Sequence, residues 1–231
     1  MTLSVAVVLS GCGVFDGSEI HEAVSVLIHL SRLGAEYQCF APDIDQAHVI
    51  NHLSGKPEPS QTRNVLVESA RIARGAIRPL RDLKAPDFDA VIFPGGFGAA
   101  KNLCNFATAG AECAINPDVE RVVKAFHQAH KPVGMCCIAP VIAARVLGTA
   151  SGGPGAKVTI GDDSGAAAAI ETMGSRNVVK PVTEALVDTP NQLVTAPAYM
   201  YDAPVHAVFV GIGEMVERTL ALVDAAAPVA R

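Results

Sequence analysis

The chain has 231 residues, half of them hydrophobic and 18% charged, which fits a globular protein large enough to bury a real core. The net charge is −5, and Lys and Arg are scattered rather than clustered, which excludes a surface built to neutralise a nucleic-acid backbone. The six cysteines (Cys12, Cys39, Cys104, Cys113, Cys136, Cys137) show no CxxC spacing and no His at zinc-ligand spacing, so they read as free thiols without a metal.

From the start, Leu3 to Leu9 is an apolar run with no basic flank, too short to span a membrane. It predicts a strand buried on both faces, no leader and a cytoplasmic location; the processed form of a mitochondrial protein would read the same way. A Gly-rich turn follows, and then Ile20, Val24, Leu27, Ile28 and Leu30 give a helical apolar stripe ended by Gly34. Glu36 to Ala41 reads as the next strand. Pro42 to Thr62, polar and interrupted by Gly55-Lys56-Pro57-Glu58-Pro59, reads as an excursion from the sheet.

Asn64 to Arg74 is helical in pattern, and Asp89 to Phe93 is another buried strand running into Pro94-Gly95-Gly96. Val119 to His130 is amphipathic. Lys131 to Met135 is a short strand, with a helix over Ala139 to Leu147 directly after it. Strand-like segments recur at Val158–Ile160, Ala185–Val187 and Leu193–Thr195, and a helix over Val205 to Val223 closes the chain. Alternating strands and helices predict an α/β protein with a mainly parallel sheet between helical layers, and residues 1–231 show no linker or repeat that would divide them.

The chemistry concentrates at Met135-Cys136-Cys137-Ile138-Ala139-Pro140. A strand enters a sharp turn and a helix starts at once, at the sheet edge where doubly wound folds form their ligand crevice. Cys137 falls in the turn, near a helix N-terminus that favours a thiolate, and is the expected nucleophile; Cys136 falls in the strand as buried packing. Pro140 suits the first helical turn. At Phe93-Pro94-Gly95-Gly96 the backbone presents N–H groups without a side chain, so the N–H groups of Gly96 and Ile138 are expected to make an oxyanion pocket. After strand 1, Glu19 and Glu22 open a helix, and one of them is expected to reach the thiol as acid or base. Gly11-Cys12-Gly13-Val14-Phe15-Asp16-Gly17 with Asp43 is a weak match to a dinucleotide fingerprint, GxGxxxG in place of GxGxxG.

The segments VVLSGCGVFDGSEIHEA, HVINHLSGKP, TRNVLVESARIARGAIRPL, FPGGFGAAKNL, HQAHKPVGMCCIAP and VTAPAYM together resemble the DJ-1/PfpI superfamily, and within it the ES1/ElbB branch. The resemblance implies a flavodoxin-like three-layer sandwich, shared with class I glutamine amidotransferases, and a homodimer. It marks Cys137 as nucleophile, Glu22 as the carboxylic acid beside it and the Gly96 N–H as part of the oxyanion pocket. Peptidase-like members place His after the Cys, where this chain has Ile138, and amidotransferases carry a late His-x-Glu, where this chain has His206-Ala207-Val208. The resemblance therefore implies neither activity. It implies a glyoxalase III-like enzyme, independent of glutathione, metal and organic cofactor, that turns glyoxal or a related small dicarbonyl into a 2-hydroxy acid. The alternative is a redox sensor using the same cysteine without significant turnover.

Overall fold

The computed structural model describes residues 2–226. The first half of the chain forms β1 (Ser4–Val8), α1 (Ile20–Arg32), β2 (Glu36–Ala41), β3 (Ile50–Asn51), β4 (Lys56–Pro57), α2 (Val65–Ile72), β5 (Ile77–Pro79), β6 (Ala90–Phe93), α3 (Phe97–Lys101) and α4 (Phe106–Ala109). The second half forms α5 (Pro117–Gln128), β7 (Val133–Cys136), α6 (Pro140–Leu147), β8 (Lys157–Val158), α7 (Ser164–Thr172), β9 (Arg176–Asn177), β10 (Leu186–Asp188), β11 (Leu193–Ala196) and α8 (Val205–Ala226). Seven strands make one sheet in the order β10-β11-β7-β6-β1-β2-β5, parallel throughout except for β10, which runs against β11 at one edge.

The unbroken apolar run of β1 follows from this position. Val5 and Val7 enter the core under α1 and α8, while Ala6 and Val8 enter the opposite core under α5 and α6, and all four are fully buried. Gly134 in β7 is a packing device. A Cβ there would lie 2.9 Å from Thr219 Oγ1 and 3.1 Å from Ile92 Cγ1, so glycine lets α8 settle onto the sheet. Gly34, at φ 73°, ends α1 with Ala35 N–H donating to Leu30 O at 3.0 Å and Gly34 N–H to Ser31 O at 3.1 Å, a Schellman closure.

The structure corrects three sequence readings. The stripe Ile20, Val24 and Ile28 of α1 faces outward, and the buried face carries Glu22, Ala23, Ser25, Val26, His29 and Leu30. Small residues let α1 pack closely, and the two titratable groups are accepted because they find partners: His29 Nε2 lies 3.0 Å from Phe209 O, and Glu22 is described below. The strand expected over Val158–Ile160 does not join the main sheet but pairs with β9 in a two-stranded ribbon. Edge strand β5 was too short to signal itself, and α7 has an alanine-rich pattern without a strong apolar period.

The excursion after β2 carries the β3–β4 hairpin and is fastened to the turn after β1. Asp16 Oδ2 accepts from Ile50 N–H at 2.7 Å, Phe15 N–H donates to His52 Nε2 at 3.2 Å, and Asn102 Oδ1 accepts from Ala47 N–H at 2.9 Å.

Candidate active site

The carboxyl ends of β1, β6, β7 and β11 converge, and each contributes to one buried cluster. β7 ends at Cys136, and Cys137 follows with φ 58°, a left-handed conformation that a non-glycine residue rarely adopts. The turn is held by Cys137 N–H donating to Ala196 O at 2.9 Å and Ala139 N–H to Cys136 O at 3.1 Å. Pro140 then opens α6 at its first position, where no backbone donor is lost.

Glu22 approaches from the first turn of α1. Glu19 caps that helix, accepting from Glu22 N–H at 2.7 Å, so the two acids have separate tasks and only Glu22 points to the thiol. Glu22 is fully buried. Its Oε2 accepts from Gly95 N–H at 3.0 Å and its Oε1 from Tyr199 N–H at 3.2 Å, and the Cys137 side chain lies beside it across Gly95. Cys136 also donates toward Oε2, at 3.7 Å, so this residue serves the acid as well as packing.

Gly95 makes the meeting possible. A Cβ there would lie 2.4 Å from the Cys137 Cβ and 2.6 Å from Glu22 Oε2. Gly96 is equally constrained, with φ 93° and a would-be Cβ 2.3 Å from Glu19 N. The backbone N–H groups of Gly96 and Ile138 act on the Cys137 thiol by opposing the rise that burial gives its pKa.

Burial pushes the Glu22 carboxyl up to about 7, with the nearby Glu19 charge adding to it, against the opposing effect of the hydrogen bonds from Tyr199, Cys137 and Gly95. Burial, then the Glu22 charge, raises the Cys137 thiol well above its ordinary value despite the two N–H donors. This corrects the expectation that the helix N-terminus alone would make a ready thiolate. The resting pair is a thiol beside an acid poised to take its proton.

The remaining sequence candidates fall around this centre. His21 is exposed at the mouth, its Nδ1 3.3 Å from both Tyr199 Oη and Glu19 Oε1. His206 is exposed in the first turn of α8. The dinucleotide reading fails on Asp43, whose oxygens accept from Asn64 Nδ2 at 3.0 Å and Arg81 at 3.3 Å, and on a turn closed on itself by Gly17 N–H to Gly13 O at 2.7 Å. Sequence reading missed the backbone donors of Gly95 and Tyr199. The second follows Ala198, whose φ of 47° turns the chain back after β11, and no side chain signals a role carried by an amide. A cavity of about 570 Å³ lined by His127, Lys157, Arg176 and Asp188 lies at the opposite edge of the sheet, apart from this chemistry.

A thiol on a strand–helix elbow, beside a buried acid at the carboxyl edge of a mainly parallel sheet, is set in an α/β fold of the kind seen in amidotransferase-like and DJ-1/PfpI proteins. No family model matches the chain. Over 227 residues it is 54% identical to the human glutamine amidotransferase-like class 1 domain-containing protein 3, mitochondrial, covering 94% of this chain and 82% of that protein. It is 53% identical over 227 residues to the ES1 protein homolog, mitochondrial, of Rattus norvegicus, covering 94% and 83%. Among solved structures it resembles an isoprenoid biosynthesis protein with amidotransferase-like domain from Ehrlichia chaffeensis, at TM-score 0.89 and 36% identity over 96% of this chain and 99% of that one. A DJ-1 superfamily protein from Salmonella typhimurium shares the fold at TM-score 0.52 and 21% identity, over 97% and 90% of the two chains. The chain belongs to the ES1 family, and its fold is the one seen in DJ-1/PfpI and amidotransferase-like proteins. No helix among the described residues is long and apolar enough to cross a membrane.

Proposed function

We propose that this protein is a glutathione-independent, glyoxalase-type enzyme that converts glyoxal or a related small dicarbonyl to a 2-hydroxy acid. One observation supports the reading above the rest: the fully buried Glu22 carboxyl and the Cys137 side chain meet at Gly95, where a Cβ would lie 2.6 Å from Glu22 Oε2 and 2.4 Å from Cys137 Cβ, and burial pushes the carboxyl up to about 7. Ile138 follows the thiol where a base histidine would sit, so the pair suits an electrophilic aldehyde better than an amide, whose nitrogen must be protonated to leave.

In the proposed reaction the Cys137 sulfur attacks one aldehyde carbon while its proton passes to Glu22. The resulting hemithioacetal oxygen is stabilised by the Gly96 and Ile138 N–H groups. Glu22 returns the thiol proton to that oxygen and, again a carboxylate, moves the proton on the sulfur-bearing carbon to the neighbouring carbonyl carbon through an enediol. The product is the Cys137 thioester of a 2-hydroxy acid. Water hydrolyses it, releasing glycolate from glyoxal and returning the thiol, for a net uptake of one water. The chemistry uses no metal or organic cofactor.

The reaction run on glyoxal alone in deuterated water tests this. Glycolate carrying solvent deuterium at the hydroxymethyl carbon is expected, and no glycolate would remove the proposal. The alternative, a redox sensor using the same cysteine, predicts peroxide-sensitive Cys137 and negligible turnover of glyoxal. A homodimer belongs to the same proposal, and a single monomeric species in sedimentation at micromolar concentration would remove that part.

A further inference from the structure

The site above holds two of the six cysteines, Cys136 and Cys137, and a second pair lies across the sheet from it. Cys104 and Cys113 are buried in the core under α5 and α6, whereas Cys136 and Cys137 belong to the core under α1 and α8. The chain between them folds back on itself. Cys104 and Ile115 form an antiparallel bridge, Asn105 N–H donates to Ala114 O at 3.2 Å, and Ala114 N–H donates to Asn105 Oδ1 at 2.7 Å. This closure turns both side chains into one core, with Cys113 two residues along the chain from Ile115, the bridge partner of Cys104.

The two sulfurs are not equivalent. Cys104 Sγ donates to Ala99 O at 3.2 Å. Cys113 lies next to Arg145, whose Nε donates to Cys113 O at 2.9 Å. The Cys104 thiol beside it, and then the Arg145 charge, hold the Cys113 thiol below its ordinary value against burial. Cys113 also borders a cavity of about 240 Å³ lined by Glu120, Lys124, Arg145 and Ser151. By contrast, Cys39 is buried with no such partner, and burial pushes it up to about 11.

We propose that Cys104 and Cys113 form a redox-active dithiol, separate from the catalytic thiol, that hydroperoxides convert to a disulfide. The Cys113 thiolate attacks the peroxide, forming an S–O bond as the O–O bond breaks and hydroxide leaves. The Cys104 sulfur then attacks the sulfenic sulfur, its proton leaving with the displaced hydroxide. Two thiols and one hydrogen peroxide thus give one disulfide and two waters, and a dithiol reductant reverses the change.

The full chain treated with hydrogen peroxide, alkylated after denaturation and digested with trypsin tests this. Both cysteines fall in the single segment 102–121, between Lys101 and Arg121. That peptide is expected two hydrogens lighter and unalkylated, at least about tenfold faster than Cys39 is modified, and restored by reductant. In Cys104→Ser, and in Cys104→Ala should the first variant fold poorly, Cys113 is expected to be trapped by dimedone as the sulfenic acid. Recovery of segment 102–121 fully alkylated at both cysteines, while other cysteines have oxidised, would overturn the proposal.

Discussion

Glu22 and Cys137 meet across Gly95, where a Cβ would lie 2.6 Å from the Glu22 Oε2 and 2.4 Å from the Cys137 Cβ. The acid arrives on a helix after β1 and the thiol on the elbow after β7, so the glycine at the end of the intervening strand β6 sets their separation. Gly95→Ala is therefore expected to separate the pair. It should abolish turnover and destabilise the fold by about 1–3 kcal/mol, the usual range for overpacking a dense core. Chemical denaturation and activity on the same preparation check it; unchanged activity would mean the contact is dispensable.

The left-handed turn at Cys137 gives a second expectation. At φ 58° an alanine keeps the conformational penalty and loses the thiol, whereas glycine removes the penalty. Cys137→Gly should be more stable than Cys137→Ala by about 1 kcal/mol, with both inactive. Equal stabilities in urea unfolding would show that the elbow carries no strain.

Glu22 makes stability depend on pH in an unusual direction for an acid. Its folded value, about 7, lies above the ordinary 4.5, so the folded state binds this proton more tightly than the unfolded chain. The contribution is fully present below about 4.5 and is lost as pH rises through about 7. By linkage it amounts to about 3 kcal/mol between these limits. The stability of wild type relative to Glu22→Gln should thus fall as pH rises from 5 to 8.5, whatever offset the substitution brings. A difference independent of pH would show that Glu22 titrates at its ordinary value.

Asp16 is the anchor of the β3–β4 excursion, since its buried Oδ2 accepts from Ile50 N–H at 2.7 Å. Asp16→Ala leaves that donor unpaired and should cost about 1–3 kcal/mol. Hydrogen exchange should accelerate over residues 48–58 and not in β6 or β7. Uniform acceleration would mean that the excursion and the sheet open together.

Much of this architecture is legible in the residues. Strands buried on both faces announce themselves as continuous apolar runs, and β1, β6 and β7 fall where those runs lie. The elbow is legible because Cys137, Ile138 and Pro140 follow directly on a strand. The orientation of α1 is not, because its buried face carries Glu22, Ser25 and His29, and burial of such groups depends on partners from distant segments, Gly95, Tyr199 and Phe209. The amides that hold Glu22 leave no trace in residue type. The raised thiol of Cys137 was equally hidden, since it reflects burial and a carboxyl supplied by another helix.

Steady-state consumption of glyoxal, without glutathione or added metal, by wild type, Cys137→Ala and Glu22→Gln tests the Cys137–Glu22 pair most directly. The account predicts turnover by wild type, none detectable in Cys137→Ala, and a loss of about 10²–10⁴-fold in Glu22→Gln, the range for removing a positioned acid–base group. Full activity in either variant, or none in the wild type, would contradict it.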